Sequence, residues 1–397
     1  MIIKPSIRSN VFTNAHPIGS KAYVSELFEQ ARKRDSFQGP ENVLIIGGSS
    51  GYGLASRVAL AQNAKANTIN VSFESAPKGK RTGTAGWWNN IWFQELVEDA
   101  DTLHKDFVED AFSKETKKKV LKYIKETFGT IDLIIYSLAA GARPDPFSGE
   151  LVRSHIKPLD ETVTGKTIDV AKETVKELTL EPASEKEVKD TVFVMGGSDW
   201  HDWIKTLHEG EVLDYGIKTV AYTYVGGPST KAIYRGGTLG KAKADLERTA
   251  SFINDRLERD LGGEALISSS KAVVTKASVF IPQMPIYVSC LFDVMMRHNV
   301  HETILQHKHR LFKDMVYGKK RHTDNSGRIR MDSYELDETI QKETLEMMDA
   351  LNDDTLMKAH GTKLFFDTFY KIHGFWFDSI DYDEDVNMQT LSKKTPK

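Results

Sequence analysis

The chain has 397 residues, 40% hydrophobic and 27% charged, which is enough length and apolar content to bury a large core and excludes disordered and collagen-like classes. A net charge of −3 argues against a nucleic-acid binder, and the single cysteine, Cys290, excludes an intrachain disulfide scaffold or a thiolate metal cluster. No apolar run approaches the roughly 18 residues needed to cross a bilayer, and the opening MIIKPSIRSNVF lacks the apolar block of a signal peptide, so a cytoplasmic enzyme with no membrane insertion is expected.

Taken in chain order, residues 42–47 (NVLIIG) read as a buried strand between Pro40 and a glycine cluster, and residues 52–62 read as a helix of small apolar residues. A second strand is expected at 67–74, a helix at 112–127 with Ser113 as N-cap, and another buried strand at 131–139. The rhythm continues with a strand at 219–225, a long helix near 238–259, and SSKAVVTKAS around 269–278 in a strand position. Helical spacing returns at 301–316 and 335–351. Alternating strands and helices imply parallel strands, so the expected class is α/β with a Rossmann-type doubly wound parallel sheet. Residues 76–92 and 141–190 fit the rhythm poorly and read as insertions. One large domain over 1–397 is expected, with a core at about 40–290 and a helical C-terminal part at 290–397.

The first strand runs into Gly47-Gly48-Ser49-Ser50-Gly51-Tyr52-Gly53 and then a helix. Glycines at such a turn let the backbone approach a pyrophosphate, and the helix N-terminus offers free N–H groups and a partial positive charge. Glu74 ends the second strand, 27 residues beyond Gly47, where a dinucleotide fold places the carboxylate that accepts from the adenosine ribose hydroxyls. A carboxylate there repels a 2′-phosphate and favours NADH, whereas Lys78, Lys80 and Arg81 nearby offer charges that could bind one. The same loop also spells Gly-x-Ser-x-Gly around Ser49, the nucleophile elbow of an α/β-hydrolase, with His360 or His373 available downstream. Fewer than 50 residues precede Ser49, too few for the strands that normally come before an elbow, and that reading leaves Gly53 and Glu74 without a role. A non-catalytic nucleotide-binding module is a third reading, which would keep the glycine loop alone.

Residues 222–243, YTYVGGPSTKAIYRGGTLGKAK, carry tyrosines and lysines together. A tyrosine hydroxyl can donate to an oxygen that gains negative charge during carbonyl or conjugated-carbonyl reduction, and a lysine can hold the nicotinamide ribose and lower the tyrosine pKa. Tyr234 and Lys241 lie seven residues apart, near two helical turns, while Tyr234 and Lys243 lie nine apart, on opposite faces of an ideal helix. Convergence of Tyr234 with Lys243 therefore requires the helix to begin after Tyr234, at Gly237 or Thr238; spacing alone leaves both lysines open. Four histidines, His298, His301, His307 and His309, fall close together but lack a zincin's second ligand, and no metal is expected. Trp87, Trp88 and Trp92 read equally as a ligand wall or as core packing. Lys117, Lys118 and Lys119 read as a solvated helix face, and Cys290 as inert core.

With these residues in hand, the chain resembles the single-chain trans-2-enoyl-CoA reductases, which also act as NADH-dependent enoyl-acyl-carrier-protein reductases. The resemblance rests on MIIKP at the start, His16-Pro17, GGSSGYGLA at 47–55, GTAGWWNN at 83–90, DAFS at 110–113 and YSLA at 136–139. It continues through VMGGSDW at 194–200, YRGGTLGKAK at 234–243, KAVVTKAS at 271–278, IPQMPIY at 281–287 and GFWFDSIDYDEDV at 374–386. Trp88, where the family usually has Tyr, and Gly141-Ala142 are small departures. The family's Tyr-x8-Lys pair implies Tyr234 as the catalytic tyrosine, Lys243 as its partner, and Tyr224 as a second tyrosine contacting substrate. The resemblance implies NADH contacts from the loop Gly47, Gly48, Ser49, Ser50, Gly51, Tyr52 and Gly53, and from Phe73 and Glu74. It extends them to Asp110, Ala111, Leu138, Ala139, Lys243, Val273, Val274 and Thr275. It further implies reduction of enoyl-CoA or enoyl-acyl-carrier-protein in fatty-acid biosynthesis, with NADH, no flavin and no metal, by a monomer.

Overall fold

The computed structural model describes residues 1–97 and 101–397. Seven parallel strands form the central sheet: β1 (Asn42–Ile46), β2 (Asn67–Ser72), β3 (His104–Val108), β4 (Ile131–Tyr136), β5 (Leu213–Thr223), β6 (Glu264–Ser269) and β7 (Arg328–Arg330). Their spatial order is β7-β6-β5-β4-β1-β2-β3. The chain starts in the middle at β1, moves outward through β2 to β3, then crosses back to lay β4 on the other side of β1. That reversal opens a crevice at the carboxyl ends of β1 and β4, where doubly wound sheets receive ligands. Registers Val43↔Leu133 and Asn42↔Asn67 place Ile46 and Tyr136 side by side at that edge. The strands are continuous apolar runs because helices bury both faces; Leu44, Ile46 and Ile134 pack on one side, Val43, Ile45 and Leu133 on the other.

The crossovers use α2 (Gly51–Asn63), α3 (Ala85–Leu96), α4 (Lys114–Thr127), α6 (Ser198–Glu209) and α7 (Thr238–Leu261), while α1 (Pro17–Arg32) precedes the sheet and α5 (Glu185–Met195) precedes α6. Ser113 caps α4, its hydroxyl accepting from the Thr116 N–H at 3.2 Å. The later part of the stretch expected as an insertion at 76–92, from Ala85, belongs to α3, a regular crossover between β2 and β3. Its Trp88 and Trp92 are buried and pack as core. Nearly every position from Ala85 to Phe93 is buried, Asn89 and Asn90 included, which hides the helical period. Residues 141–190 carry two antiparallel hairpins, 142–144 with 151–153 and 163–169 with 174–180.

Three sequence expectations are corrected. β6 ends at Ser269, so 270–277 is not strand: the Ser270 N–H caps β5 at the Thr223 carbonyl and the chain then turns over the crevice. β3 lay unrecognised in HKDFV, whose alternating charges suit an edge strand. Lys117 is not solvated. Three consecutive helix positions span about 200°, so one of them faces inward; Lys117 is buried and bonds Asp199 at 2.7 Å on α6, an element whose sequence did not announce itself.

The C-terminal part adds α8 (Met284–Arg297), α9 (Ile304–Arg310) continuing into a π-helical turn at 311–316, α10 (Glu338–Ala350), α11 (Asp353–Leu356) and α12 (His360–Lys371). α8 and α12 join α1 and α3 in one apolar cluster through Phe28, Phe93, Leu291 and Phe366. The sheet itself reaches into this part, since β7 lies beyond residue 290. Among the described residues, no helix is long and apolar enough to cross a membrane.

Candidate active site

The loop after β1 is built for close approach. Gly47 has φ +94°, and a Cβ there would meet the Ser137 carbonyl oxygen at 2.6 Å. A Cβ on Gly53 would lie 2.0 Å from the Gly47 carbonyl oxygen, so only glycine lets the first turn of α2 sit on its own loop. The Gly48 N–H is held by Asn70 Oδ1 at 2.8 Å, and Ser50 caps α2 without a side-chain hydrogen bond, which leaves the helix N-terminus open to a ligand. This cradle fits a pyrophosphate.

Glu74 stands at one end of the loop, where its carboxylate accepts from Ser49 Oγ at 2.6 Å and from Thr84 Oγ1. Gly86, in the first turn of α3, lies directly against it: a Cβ there would be 1.8 Å from Glu74 Oε1. Its cation is Lys276 Nζ at 3.9 Å, whereas Lys78, Lys80 and Arg81 point into solvent. Ser49 thus serves the carboxylate. His373 is engaged elsewhere, its Nδ1 2.9 Å from the Phe369 carbonyl and its ring stacked 4.2 Å from Phe12. The serine elbow of a hydrolase is not assembled.

At the other end of the crevice lies a cavity of about 170 Å³. Tyr234, Tyr224, Lys243, Tyr52 and Leu138-Ala139 line it, and Val273 and Thr275 close it from the segment after β6. α7 begins at Thr238 with Gly237 as N-cap, so Tyr234 stands on the turn before the helix and meets Lys243 across the cavity; Lys241 faces solvent. The Lys243 Nζ donates to the Tyr222 carbonyl at 3.3 Å, and burial pulls its pKa down to about 8. Burial pushes the Tyr234 hydroxyl up, with Glu335 acting in the same direction. The rings of Tyr224 and Tyr234 meet edge-on, centroids 4.5 Å apart.

The remaining sequence candidates scatter around this axis. Phe73 is exposed beside Glu74, and Asp110 caps its own turn by accepting from the Phe112 N–H at 2.9 Å, while Ala111 is buried. Val274 turns into the apolar core between its two cavity-lining neighbours. The four histidines do not converge: His298 pairs with Glu343, His307 with Glu302, His309 with the Asp35 carbonyl, and His301 packs on Phe292. Sequence reading gave no role to Glu335, Tyr287 or Lys276, which are brought to the crevice or behind its wall only through the fold.

Comparison with known proteins agrees with this geometry. A family model described as "Trans-2-enoyl-CoA reductase catalytic region" matches residues 81–317, and one described as "NAD(P)H binding domain of trans-2-enoyl-CoA reductase" matches residues 2–79. The chain belongs to the trans-2-enoyl-CoA reductase family. It is 44% identical over 99% of both chains to a Photobacterium profundum protein named enoyl-[acyl-carrier-protein] reductase [NADH] 2. It is 40% identical, over the full length of both, to the trans-2-enoyl-CoA reductase [NADH] of Clostridium beijerinckii. The Clostridium acetobutulicum trans-2-enoyl-CoA reductase, solved in complex with NADH, superposes with a TM-score of 0.96 at 40% identity over 99% of each chain. As a member of this family the chain is an oxidoreductase.

A third family model, described as "Enoyl reductase FAD binding domain", matches residues 323–386. Within that segment Arg328 and Arg330, donors that a dinucleotide's diphosphate could use, are paired with Asp324 and Asp332. The helix N-termini are occupied too: Asp337 caps α10, Asn352 caps α11, and the Asp293 carboxylate takes the Gly361 N–H of α12 at 3.0 Å.

Proposed function

We propose that the chain reduces the trans-2 double bond of enoyl thioesters carried on coenzyme A or acyl carrier protein, using NADH, without flavin, in fatty-acid biosynthesis. The observation that carries this reading is the alignment along one crevice of a pyrophosphate cradle, a ribose-binding carboxylate and a tyrosine–lysine pair. When bound, NADH supplies a hydride, which adds to the β-carbon of the enoyl group. The loop Gly47–Gly53 and the N-terminus of α2 hold the pyrophosphate; Glu74 accepts from the adenosine ribose hydroxyls and repels a 2′-phosphate. Lys243 holds the nicotinamide ribose. As the C2=C3 electron pair shifts to form a C1=C2 bond and the carbonyl pair moves onto the thioester oxygen, Tyr234 donates a hydrogen bond to that oxygen and stabilises the enolate. Protonation at the α-carbon completes the saturated acyl thioester. Leu138-Ala139 and Val273 exclude water from the reacting carbons, and Tyr224 contacts the substrate wall.

The test is NADH oxidation with crotonyl-CoA as acceptor, in the native protein and in Tyr234→Phe. The native protein should oxidise NADH only when the enoyl thioester is present. Removing the hydroxyl should cost on the order of 10²–10³ in turnover with NADH binding nearly intact. Full turnover in Tyr234→Phe sinks the assignment of the donor.

A further inference from the structure

Glu335 lies on the segment between β7 and α10, more than ninety residues beyond Lys243, yet it is fully buried behind the catalytic wall. Its Oε1 accepts from the Tyr224 hydroxyl and the Tyr287 hydroxyl, each at 2.7 Å. Its Oε2 accepts from the Ala272 N–H at 2.5 Å, where the chain turns over the cavity. Gln341 Nε2 donates to the Tyr287 oxygen at 2.9 Å and to the Glu335 carbonyl at 2.8 Å, so the Tyr287 proton is directed onto the carboxylate. Three donors thus converge on one carboxylate in the dry interior. Burial, with Asp332 acting in the same direction, holds the Glu335 carboxyl above the usual range, and the hydrogen bonds from Tyr224, Ala272 and Tyr287 oppose that. Such a group is expensive where an apolar side chain would pack, which points to a use beyond stability.

That use follows from the partners. Tyr224 has one hydroxyl proton, and here it is committed to Glu335. Its ring is thereby fixed edge-on against Tyr234. Tyr234 lines the cavity beside it. We propose that Glu335 is a positioning residue for the reduction: by holding the Tyr224 hydroxyl and the start of the 272–275 segment, it sets the wall against which Tyr234 presents its proton to the thioester oxygen. The proposal rests on the reading of Tyr234 given above. It also gives the segment resembling a flavin domain a part in catalysis that needs no flavin.

A double-mutant cycle on Glu335→Gln and Tyr224→Phe tests it, with kcat, KM for crotonyl-CoA, NADH Kd and Tm measured for each protein. The carboxamide introduced by Glu335→Gln can keep the Ala272 N–H bond only by turning its NH2 towards the tyrosines, so either the Tyr224 proton loses its acceptor or the Ala272 link breaks. Each single variant should lose about tenfold in kcat with NADH Kd nearly unchanged, and the double variant should be no slower than the slower single, since both act through one contact. Native kcat in either single variant overturns the proposal. So does a double variant whose loss is the product of the two single losses. Should Glu335→Gln fail to fold, Glu335→Asp, which keeps the charge and withdraws it by one methylene, carries the same cycle. Tyr234→Phe run alongside separates the readings: full turnover there removes the proposed function itself, whereas an inactive Tyr234→Phe with multiplicative losses removes only the role of Glu335.

Discussion

Lys243 owes its place beside Tyr234 to where a helix begins. Were α7 to start before Tyr234, Lys241 would share its face; because Gly237 caps the helix, Lys243 lines the cavity and Lys241 is left outside. Lys243→Met should therefore weaken NADH binding and turnover together, and Lys241→Met should leave both near native, read by NADH titration and steady-state rates. Inactive Lys241→Met beside native Lys243→Met would reverse the assignment. With a pKa pulled down to about 8, Lys243 is charged below that pH and neutral above it. NADH affinity in the native protein should accordingly fall as pH rises through about 8, and a flat profile would show that the lysine charge does not hold the cofactor. Glu74 is argued at the same scale. Removing its carboxylate in Glu74→Ala deletes the acceptor for the ribose hydroxyls and the repulsion of a 2′-phosphate, so NADH binding should weaken and the preference over NADPH shrink. A native protein that already prefers NADPH would contradict this.

At the scale of elements, the loop and α2 work as one piece because glycine lets them touch. In Gly53→Ala the new methyl would lie 2.0 Å from the Gly47 carbonyl, a backbone atom that moves only with the loop. Overpacking of this kind costs roughly 1–3 kcal/mol. The expected result is a lowered Tm together with a larger loss of NADH affinity, since the displaced backbone is the phosphate cradle itself. Native affinity with a lowered Tm would place the pyrophosphate elsewhere. The elements framing this loop were readable in sequence, since NVLIIG and NTINVSFE are apolar runs bounded by turn residues. β3, α3 and α6 were not: HKDFV is charged, GWWNNIWF is buried nearly all round with two asparagines in its middle, and SDWHDWIK hides its buried face among polar residues.

At the scale of the whole molecule, burial sets how the fold responds to acid. His16, His301, His307 and His373 are all kept neutral by the surrounding protein, with pKa values drawn down to about 4, 4, 3 and 3 by desolvation. Unfolded histidines take up protons near the ordinary value of about 6.5. Between that value and the depressed ones the unfolded chain binds more protons, so stability is full above about pH 6.5 and declines as pH falls towards 4 and then 3. Glu302, held down to about 2 by His307 and Arg310 against its own burial, extends the loss below its ordinary value. Thermal unfolding should show Tm falling by several degrees from about pH 7.5 to about pH 5.5. A constant Tm over that interval would mean that these rings accept protons in the folded state.

The sequence by itself determined the parallel α/β core, the glycine loop and the acid after the second strand, and the tyrosine with two nearby lysines, because each depends on residues close together in the chain. Turn chemistry, apolar runs and glycine spacing are local and act before any long-range contact forms. Only the tertiary structure puts Lys243 rather than Lys241 on the cavity that Tyr234 lines, since that placement rests on one N-cap whose position is held by Lys157: its carbonyl accepts from the Thr238 N–H at 3.0 Å. Only the fold buried Lys117 against Asp199, sent Ser49 to Glu74 rather than to a histidine, and carried Glu335 from a C-terminal segment to the back of Tyr224. These pairings join residues 25 to 111 positions apart. Their partners are ordinary charged and hydroxyl side chains until packing removes the water and leaves each only the few neighbours that the fold supplies.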